Sequence, residues 1–147
     1  MLFPLDRGCD DYGCGHFGAS RGNRKHIGTD FASEPGQLVT SDVHGKVTKL
    51  GYPYGDDLSF RYVQITTDDD IDCRYFYCQP SVAVGDLVKV GNVIGKAQDI
   101  AARYTKGKMT NHIHFEVKRT EIELESGIPK SNVLHPVEFL RDQGVQI

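Results

Sequence analysis

The sequence predicts an all-β, mainly antiparallel fold in a single domain that covers residues 1–147. Several short segments alternate apolar and polar residues, which is the pattern of half-buried strands. The chain also contains 16 glycines, as expected of a turn-rich protein. A length of 147 residues fits one domain with a real hydrophobic core. Many short strands joined by glycine-containing turns indicate an antiparallel sandwich or barrel.

Seven segments are predicted strands. They comprise residues 37–40, 46–50, 60–66, 73–78, 87–90, 93–96 and 112–119. Asp68, Asp69 and Asp70 follow the third segment, and we expect them at an exposed hairpin tip. Gly91 and Asn92 separate the fifth and sixth segments and predict a tight turn.

Helical structure is expected at two places in the C-terminal third of the chain. Residues 98–106 predict either one helical turn or a loop. Residues 136–142 predict a short C-terminal helix that begins at a proline. The helices are therefore minor parts of a β fold.

Composition and charge exclude several classes of partner. The formal net charge is −3 and the pI is near 6.0, which argues against nucleic-acid binding and against a polybasic membrane contact. The longest apolar runs are far too short to span a bilayer, so we expect no membrane insertion.

Two short polar clusters stand out in this β-patterned chain. His26 and Asp30 lie four residues apart, and His112 and His114 lie two apart on a predicted strand. Side chains at i and i+2 of a strand share a face at roughly 7 Å, which suits one metal ligand and one neighbour that handles protons. Two histidines and one carboxylate form the ligand set of a catalytic zinc site with an open fourth position. The alternative is coincidence among six histidines.

Six segments in register connect these clusters to a known family. They are residues 17–21, 24–31, 43–47, 84–95, 111–117 and 135–140. In that order they resemble the FGxR, H-x-G-x-D, DGxV, VGDxVKKGQxIG, H-x-H-F-E and NPxxFL motifs of lysostaphin-type zinc metallopeptidases, which cut peptide bonds in peptidoglycan. The resemblance covers about residues 9–140 and implies a lysostaphin-type β-sandwich or barrel with a zinc-containing groove.

The resemblance also implies roles for the polar residues. Zn²⁺ would be held by His26, Asp30 and His114, while His112 would take a proton from water and pass it to the leaving amine. Glu116, two residues beyond His114, would either orient that ligand or form an ordinary salt bridge.

One position departs from the family pattern. The peptidases carry a histidine in a Y-x-H-L strand, where this chain has Tyr77. An animal relative, leukocyte cell-derived chemotaxin, also has Tyr there and is regarded as a zinc-binding protein without peptidase activity. A tyrosine hydroxyl can donate the same hydrogen bond to an oxyanion. We therefore favour a zinc metalloendopeptidase with Tyr77 as a catalytic residue; the alternative is a catalytically silent zinc-binding module that acts in binding or tail assembly.

The four cysteines fall into two pairs. Cys9 and Cys14 are spaced for a small local loop closure, and zinc binding by this pair is a weaker alternative. Their segment resembles the CDxxGCG start of the chemotaxin, which implies a Cys9–Cys14 disulfide. Cys73 and Cys78 are expected on opposite faces of one strand as buried free thiols.

The expected substrate is a peptidoglycan peptide, which lies outside the bacterial cytoplasm. The first residues lack the basic and apolar regions of a secretory signal. We therefore expect a phage-borne protein, carried in a virion or acting in lysis, with tail or baseplate proteins as partners; prior removal of a signal is the alternative. An extracellular or periplasmic location after release is the other expectation.

Overall fold

The computed structural model describes residues 6–122, 126 and 129–145. Short β-strands dominate this part of the chain, together with one 3₁₀-helix and one α-helix. The strands are β1 Cys9–Asp10, β2 Gly13–Cys14, β3 Ser20–Arg21, β4 Arg24–Lys25, β5 Thr29–Ala32, β6 Leu38–Thr40, β7 Gly45–Gly51, β8 Tyr62–Thr66, β9 Ile71–Phe76, β10 Cys78–Pro80, β11 Leu87–Val88, β12 Val93–Ala97, β13 His112–Ile122 and β14 Pro129–Leu134. The 3₁₀-helix spans Ile100–Arg103, and α1 spans Pro136–Asp142.

The main sheet is antiparallel and is centred on the long strand β13. Its order is β11-β7-β8-β9-β13-β14, and β5 also pairs with β13. β9 lies along one edge of β13, while β5 and β14 share the other edge. His114 is opposite Asp30 in the β13–β5 register, so backbone pairing alone brings the two polar clusters together.

A second antiparallel sheet, in the order β10-β12-β6, shares one apolar core with the main sheet. The buried core residues include Val39, Val47, Val63, Ile65, Tyr75, Cys78, Ile94, Ile113, Phe115, Phe139 and Leu140. The last two come from α1, so the short helix is part of the core. The predicted all-β, antiparallel fold with a short C-terminal helix is confirmed.

Both helical predictions are confirmed. α1 begins at Pro136 because proline is favourable in the first turn, where its missing N–H is not needed. The His135 side chain accepts a hydrogen bond from the Glu138 backbone N–H at 3.5 Å and so caps the helix. Within 98–106, the chain forms the 3₁₀-helix, which Asp99 caps through the Ala102 backbone N–H. No helix in the described ranges is long and apolar enough to cross a membrane.

The prediction of one continuous strand over residues 73–78 is wrong. β9 ends at Phe76, Tyr77 has a φ of +65°, and Cys78 opens β10 in the second sheet. The left-handed conformation of Tyr77 breaks the strand, and the backbone N–H groups of Tyr77 and Cys78 both donate to the Arg61 carbonyl. An alternating sequence cannot reveal such a change of sheet, because the apolar pattern continues through it.

The polypeptide also passes from one sheet to the other at the predicted turn around Gly91 and Asn92. The turn itself is present, and the Asn92 N–H donates to the Lys89 carbonyl at 3.0 Å. Its flanking strands, however, belong to different sheets, since β11 pairs with β7 and β12 pairs with β6 and β10. The Asp68–Asp70 segment does join the antiparallel pair β8 and β9, as predicted.

The predicted disulfide is confirmed. Cys9 and Cys14 are opposite each other in the β1–β2 hairpin and are bonded. The hairpin is fixed to the segment that leads into β13, because Asp11 accepts from the Lys108 N–H at 2.7 Å and Asp10 from the Thr110 N–H at 2.8 Å.

The two remaining cysteines, Cys73 and Cys78, are buried free thiols, as predicted, although they lie in different sheets. We expect thiol titration of oxidised protein, denatured without reductant, to find two free thiols. Burial raises the pKa of Cys78 to about 12, so little of it is a reactive thiolate in the folded protein. As a control, a Cys9→Ser/Cys14→Ser variant should give two thiols with or without reductant. Four free thiols in wild-type protein from an oxidising environment would contradict the disulfide.

Candidate metal centre

Three potential metal ligands converge where β13 meets β5. His26 follows β4 directly, Asp30 lies in β5, and His114 lies in β13. The Nδ1 atom of His114 is 2.8 Å from the Oδ1 atom of Asp30 and 2.9 Å from the Nε2 atom of His26. The third side of this triangle, from His26 Nε2 to Asp30 Oδ1, is 3.2 Å.

This triangle has the size and chemistry of a zinc-binding set. Tetrahedral zinc, with bonds of about 2.0–2.1 Å to nitrogen and oxygen, holds neighbouring donor atoms roughly 3.3 Å apart. The three donor atoms fall within a few tenths of an ångström of that separation. Two imidazole nitrogens and one carboxylate oxygen leave the fourth coordination position of zinc for water or substrate.

Hydrogen bonds on the outer sides of the His26 and His114 rings explain why the three converging atoms favour a cation. The Nδ1 atom of His26 donates to the His16 carbonyl at 3.0 Å, and the Nε2 atom of His114 donates to Glu116 at 2.9 Å. Both partners are pure acceptors, so each ring carries its proton on the outer nitrogen. When both rings are neutral, the inner nitrogens therefore turn lone pairs toward each other and toward the Asp30 carboxylate. A cation at the centre relieves this repulsion, and such outer hydrogen bonds are typical of metal-ligating histidines.

The pKa values of the cluster agree with this interpretation. Burial disfavours ionisation of Asp30, but hydrogen bonds from His114 and His26 hold its pKa well below the ordinary value. Burial also disfavours the protonated form of His114, yet hydrogen bonds to Asp30 and Glu116 raise its pKa to about 9. Without metal, a proton thus neutralises the cluster, and metal binding displaces it.

Arg7 is a residue of this site that sequence reasoning missed. Its buried guanidinium donates to the Oδ2 atom of Asp30 at 2.9 Å and to both oxygens of Asp10 at 2.6 and 2.9 Å. The disulfide-closed hairpin therefore orients the carboxylate from its far side. Arg21, the last residue of the 17–21 motif, donates to the Cys14 carbonyl at 2.7 Å.

His112 lies beside the three potential ligands on the same face of β13. Its Nδ1 atom donates to the Thr110 carbonyl at 2.7 Å, and its Nε2 atom is 3.6 Å from the Oδ2 atom of Asp30. Because Nδ1 carries the proton, Nε2 is the basic atom of the neutral ring. Burial lowers the pKa of His112, which keeps this ring neutral and able to accept a proton.

Tyr77 directly follows β9, and β9 pairs with the edge of β13 opposite to β5. The Tyr77 and His112 rings meet edge to face with their centroids 5.3 Å apart. Burial raises the pKa of Tyr77 to about 12, so its hydroxyl keeps its proton at neutral pH and can donate it. The Tyr77 hydroxyl is 3.3 Å from that of Tyr54, a second residue that sequence reasoning missed.

All five predicted site residues line one groove with a volume of about 390 Å³. The groove therefore combines a zinc-type ligand set, a neutral imidazole and a phenol donor. Tyr12, Tyr54 and Tyr104 extend its wall beyond the site. No local motif marks Tyr54 and Arg7, since only the folded chain brings them to the groove.

Gly28 leaves room for the His114 ring because it has no side chain. A Cβ atom added to Gly28 would lie 2.5 Å from His114 Cε1 and 2.7 Å from the Phe115 carbonyl oxygen. We expect Gly28→Ala to displace the His114 ring, weaken zinc binding and reduce the free energy of unfolding by about 1–3 kcal/mol. Zinc titration and thermal unfolding measure both effects. Gly55→Ala is the matched control, because no atom lies within 4 Å of its added Cβ. Wild-type zinc affinity in Gly28→Ala would show that the ring tolerates the methyl group.

Comparisons with known proteins agree with the geometry. The family described as "Peptidase family M23" matches residues 24–126. Leukocyte cell-derived chemotaxin-2 of Mus musculus is 27% identical over 110 residues, covering 75% of this chain and 71% of the mouse protein. The peptidoglycan DD-endopeptidase ShyB of Vibrio cholerae is 34% identical over 94 residues, covering 63% of this chain and 20% of that protein.

The catalytic domain of the antimicrobial peptidase lysostaphin from Staphylococcus simulans has a similar structure. Its TM-score is 0.61 at 24% identity, and the match covers 90% of this chain and 91% of that domain. At this identity, the likeness establishes a shared fold. The β-sheet framework around the groove is therefore the lysostaphin type that the motifs predict.

Proposed function

Because the chain belongs to peptidase family M23, we propose that it is a zinc metalloendopeptidase that hydrolyses peptide bonds in bacterial peptidoglycan. One observation carries the proposal. The ligand atoms of His26, Asp30 and His114 lie within 3.2 Å of one another, beside a neutral imidazole and a protonated phenol. This arrangement supplies a ligand set for a metal, a base and an oxyanion donor in one groove.

In this proposal, His26, Asp30 and His114 hold the zinc ion. When bound, zinc supplies Lewis-acid chemistry, which acidifies a water molecule and polarises the scissile carbonyl group. Arg7 and Glu116 orient two of the ligands through hydrogen bonds of 2.9 Å each. Removing such outer partners typically weakens metal binding by about 10- to 100-fold.

His112 moves the protons. Its Nε2 atom accepts a proton from the attacking water and then donates it to the nitrogen of the leaving amine. The hydrogen bond from Nδ1 to the Thr110 carbonyl holds the ring in the tautomer that this step requires. Burial lowers the pKa of His112, so the ring is unprotonated and can accept a proton when substrate arrives.

Tyr77 stabilises the oxyanion that forms on the substrate carbonyl. Its hydroxyl donates a hydrogen bond in place of the family histidine. A donor of this kind matters most when charge develops in a site that excludes water. The partly buried position of Tyr77, edge-on to His112, is suited to that task.

A second function is favoured by the identity of residue 77 and by the similarity to the mouse chemotaxin. In this alternative, the chain is a catalytically silent zinc-binding module that docks through the same groove. Zinc then serves the structure of the site, and Tyr77 packs against His112 without donating to a substrate.

Hydrolysis of purified peptidoglycan separates the two functions. We expect zymograms to show clearing by the wild-type protein, its loss with chelator and its return with added zinc. His112→Gln is the matched control, since it should bind zinc but lack the base. Absence of clearing on several peptidoglycan chemotypes, with zinc fully bound, would establish the silent module.

We also propose that the protein acts from a phage virion or during phage lysis, with tail or baseplate proteins as partners. The reasoning is that its expected substrate lies outside the cytoplasm. Proteomic analysis of purified virions from the source should then detect the chain in stoichiometric amounts with tail proteins. Its presence in the secreted fraction without any phage particle would overturn this proposal.

A further inference from the structure

Three tyrosine hydroxyls form a continuous chain along the wall of the groove. The Tyr54 hydroxyl lies 2.7 Å from that of Tyr104 and 3.3 Å from that of Tyr77. Tyr54 belongs to the connection between β7 and β8, Tyr77 to the junction of β9 and β10, and Tyr104 to the end of the 3₁₀-helix. Three separate parts of the fold thus meet at these hydroxyls and their rings.

Tyr54, the middle residue of this hydroxyl chain, is held on several sides. The guanidinium of Arg103 stacks on Tyr54 at 3.7 Å, and the Tyr77 ring lies nearly parallel to it at a centroid distance of 6.2 Å. Phe60 meets it edge-on at 6.0 Å. Arg103 is itself paired with Asp56 at 3.2 Å, which ties the Tyr54 loop to the 3₁₀-helix.

Tyr77, at one end of the hydroxyl chain, is fixed by its backbone. The Tyr77 N–H donates to the Arg61 carbonyl at 2.8 Å, and its carbonyl accepts from the Gln98 N–H at 2.9 Å. With a φ of +65°, this residue occupies a backbone region that costs a tyrosine about 1–3 kcal/mol. The fold thus keeps Tyr77 in an unfavourable conformation that places its hydroxyl beside Tyr54.

The number of protons restricts which hydroxyl donates to which along the hydroxyl chain. Three hydroxyls have three protons, and the two hydrogen bonds between them use two. Burial raises the pKa of both Tyr54 and Tyr77, so these two phenols stay protonated at neutral pH. When Tyr54 accepts from one neighbour and donates to the other, the third proton remains at one end, either on Tyr104 or on Tyr77. An acceptor in the groove therefore selects the order in which Tyr104 donates to Tyr54 and Tyr54 donates to Tyr77.

We propose that Tyr54 is a positioning residue which, together with Tyr104, directs the Tyr77 proton toward the oxygen of a bound peptide carbonyl. By donating to Tyr77, Tyr54 occupies one of the two in-plane positions around the phenol oxygen and leaves the other for the Tyr77 O–H. Successive hydrogen bonds polarise one another, so the last donor of the chain is stronger than an isolated phenol. This inference rests on the proposed peptidase function for its substrate, but its hydrogen bonds can be tested without hydrolysis.

The kinetic test compares Tyr54→Phe with wild-type protein. We expect kcat to fall by about tenfold, the typical effect of losing one hydrogen bond, with KM and zinc content unchanged. In the Tyr77→Phe background, Tyr54→Phe should cause no further loss, because its effect passes through the Tyr77 hydroxyl. Tyr104→Phe should act in the same direction and to a smaller extent. If Tyr54 had only a structural role, Tyr54→Phe would reduce kcat further in the Tyr77→Phe background. It would also lower the zinc content or the melting temperature.

Tyr52→Phe is the matched control for these variants. Tyr52 lies in the same loop, is 48% exposed, and stacks on Arg61 outside the hydroxyl chain. Its substitution should leave kcat unchanged. An equal loss in Tyr52→Phe would attribute the effect to the loop rather than to the chain.

A spectroscopic test is independent of activity. In protein labelled with ¹³C at the tyrosine Cζ position, Tyr54→Phe should shift the Tyr77 signal, while Tyr52→Phe should not. Tyr54→Phe should also weaken binding of a phosphinic peptide, a stable mimic of the tetrahedral intermediate, but only when Tyr77 is present. An unmoved Tyr77 signal overturns the hydroxyl chain whether or not the protein is an enzyme. If wild-type protein hydrolyses no peptidoglycan but both responses are seen, the peptidase function fails and the hydroxyl chain is supported.

Discussion

His114→Ala is expected to lose nearly all bound zinc and, with it, all hydrolysis. His114 supplies the Nδ1 atom that lies closest to both other donors, at 2.8 Å from Asp30 and 2.9 Å from His26. The remaining two ligands cannot hold the metal against dialysis, because a catalytic zinc site normally needs three protein ligands. Elemental analysis of the dialysed protein, together with a zymogram, measures both losses.

His16→Ala is the matched control for this experiment. The exposed His16 contacts the site through its backbone carbonyl, which accepts from His26, so removal of its imidazole should preserve stoichiometric zinc. Zinc that persists in His114→Ala at wild-type stoichiometry would show that the proposed ligand set is wrong. Loss of zinc from both variants would instead indicate a general disturbance of the loop before β5.

Tyr77→Phe is expected to lower turnover by about 10²- to 10³-fold, the usual cost of removing one oxyanion donor. Zinc content and fold should not change, since phenylalanine keeps the ring contact with His112 and has the same backbone cost at a φ of +65°. Tyr77→His restores the family residue and should keep or raise the rate. Initial rates on a soluble peptidoglycan fragment, with zinc analysis of each variant, measure these effects.

Tyr12→Phe provides the control within the same groove. The Tyr12 hydroxyl is buried with no hydrogen-bond partner in the described part of the chain, so its loss should leave the rate unchanged. If wild-type protein binds zinc but hydrolyses nothing, and Tyr77→Phe alters nothing measurable, the silent zinc-binding module is the correct function.

The strand predicted from the sequence and the observed strand differ most around residue 77. Alternation correctly placed the strand that ends at Phe76, but it continued the strand through Cys78. The left-handed φ of Tyr77 sends the chain into the second sheet instead. Strand periodicity reports which side chains are buried, and Cys73 and Cys78 are buried in either arrangement. The pattern therefore contains no signal for the change of sheet.

The sequence predicts the β architecture, the short C-terminal helix, the disulfide and the grouping of His26, Asp30 and His114. The strands and the helix follow from local residue patterns, while the resemblance to the lysostaphin-type peptidases and the chemotaxin implies the disulfide and supports the ligand grouping. The bond from Arg7 to Asp30, and the hydroxyl contacts that join Tyr77 to Tyr104 through Tyr54, are visible only in the folded structure. These contacts join residues 23 or more positions apart. An isolated arginine or tyrosine in the sequence gives no sign of them, because its partner is chosen by how the hairpin, the loops and the sheets pack.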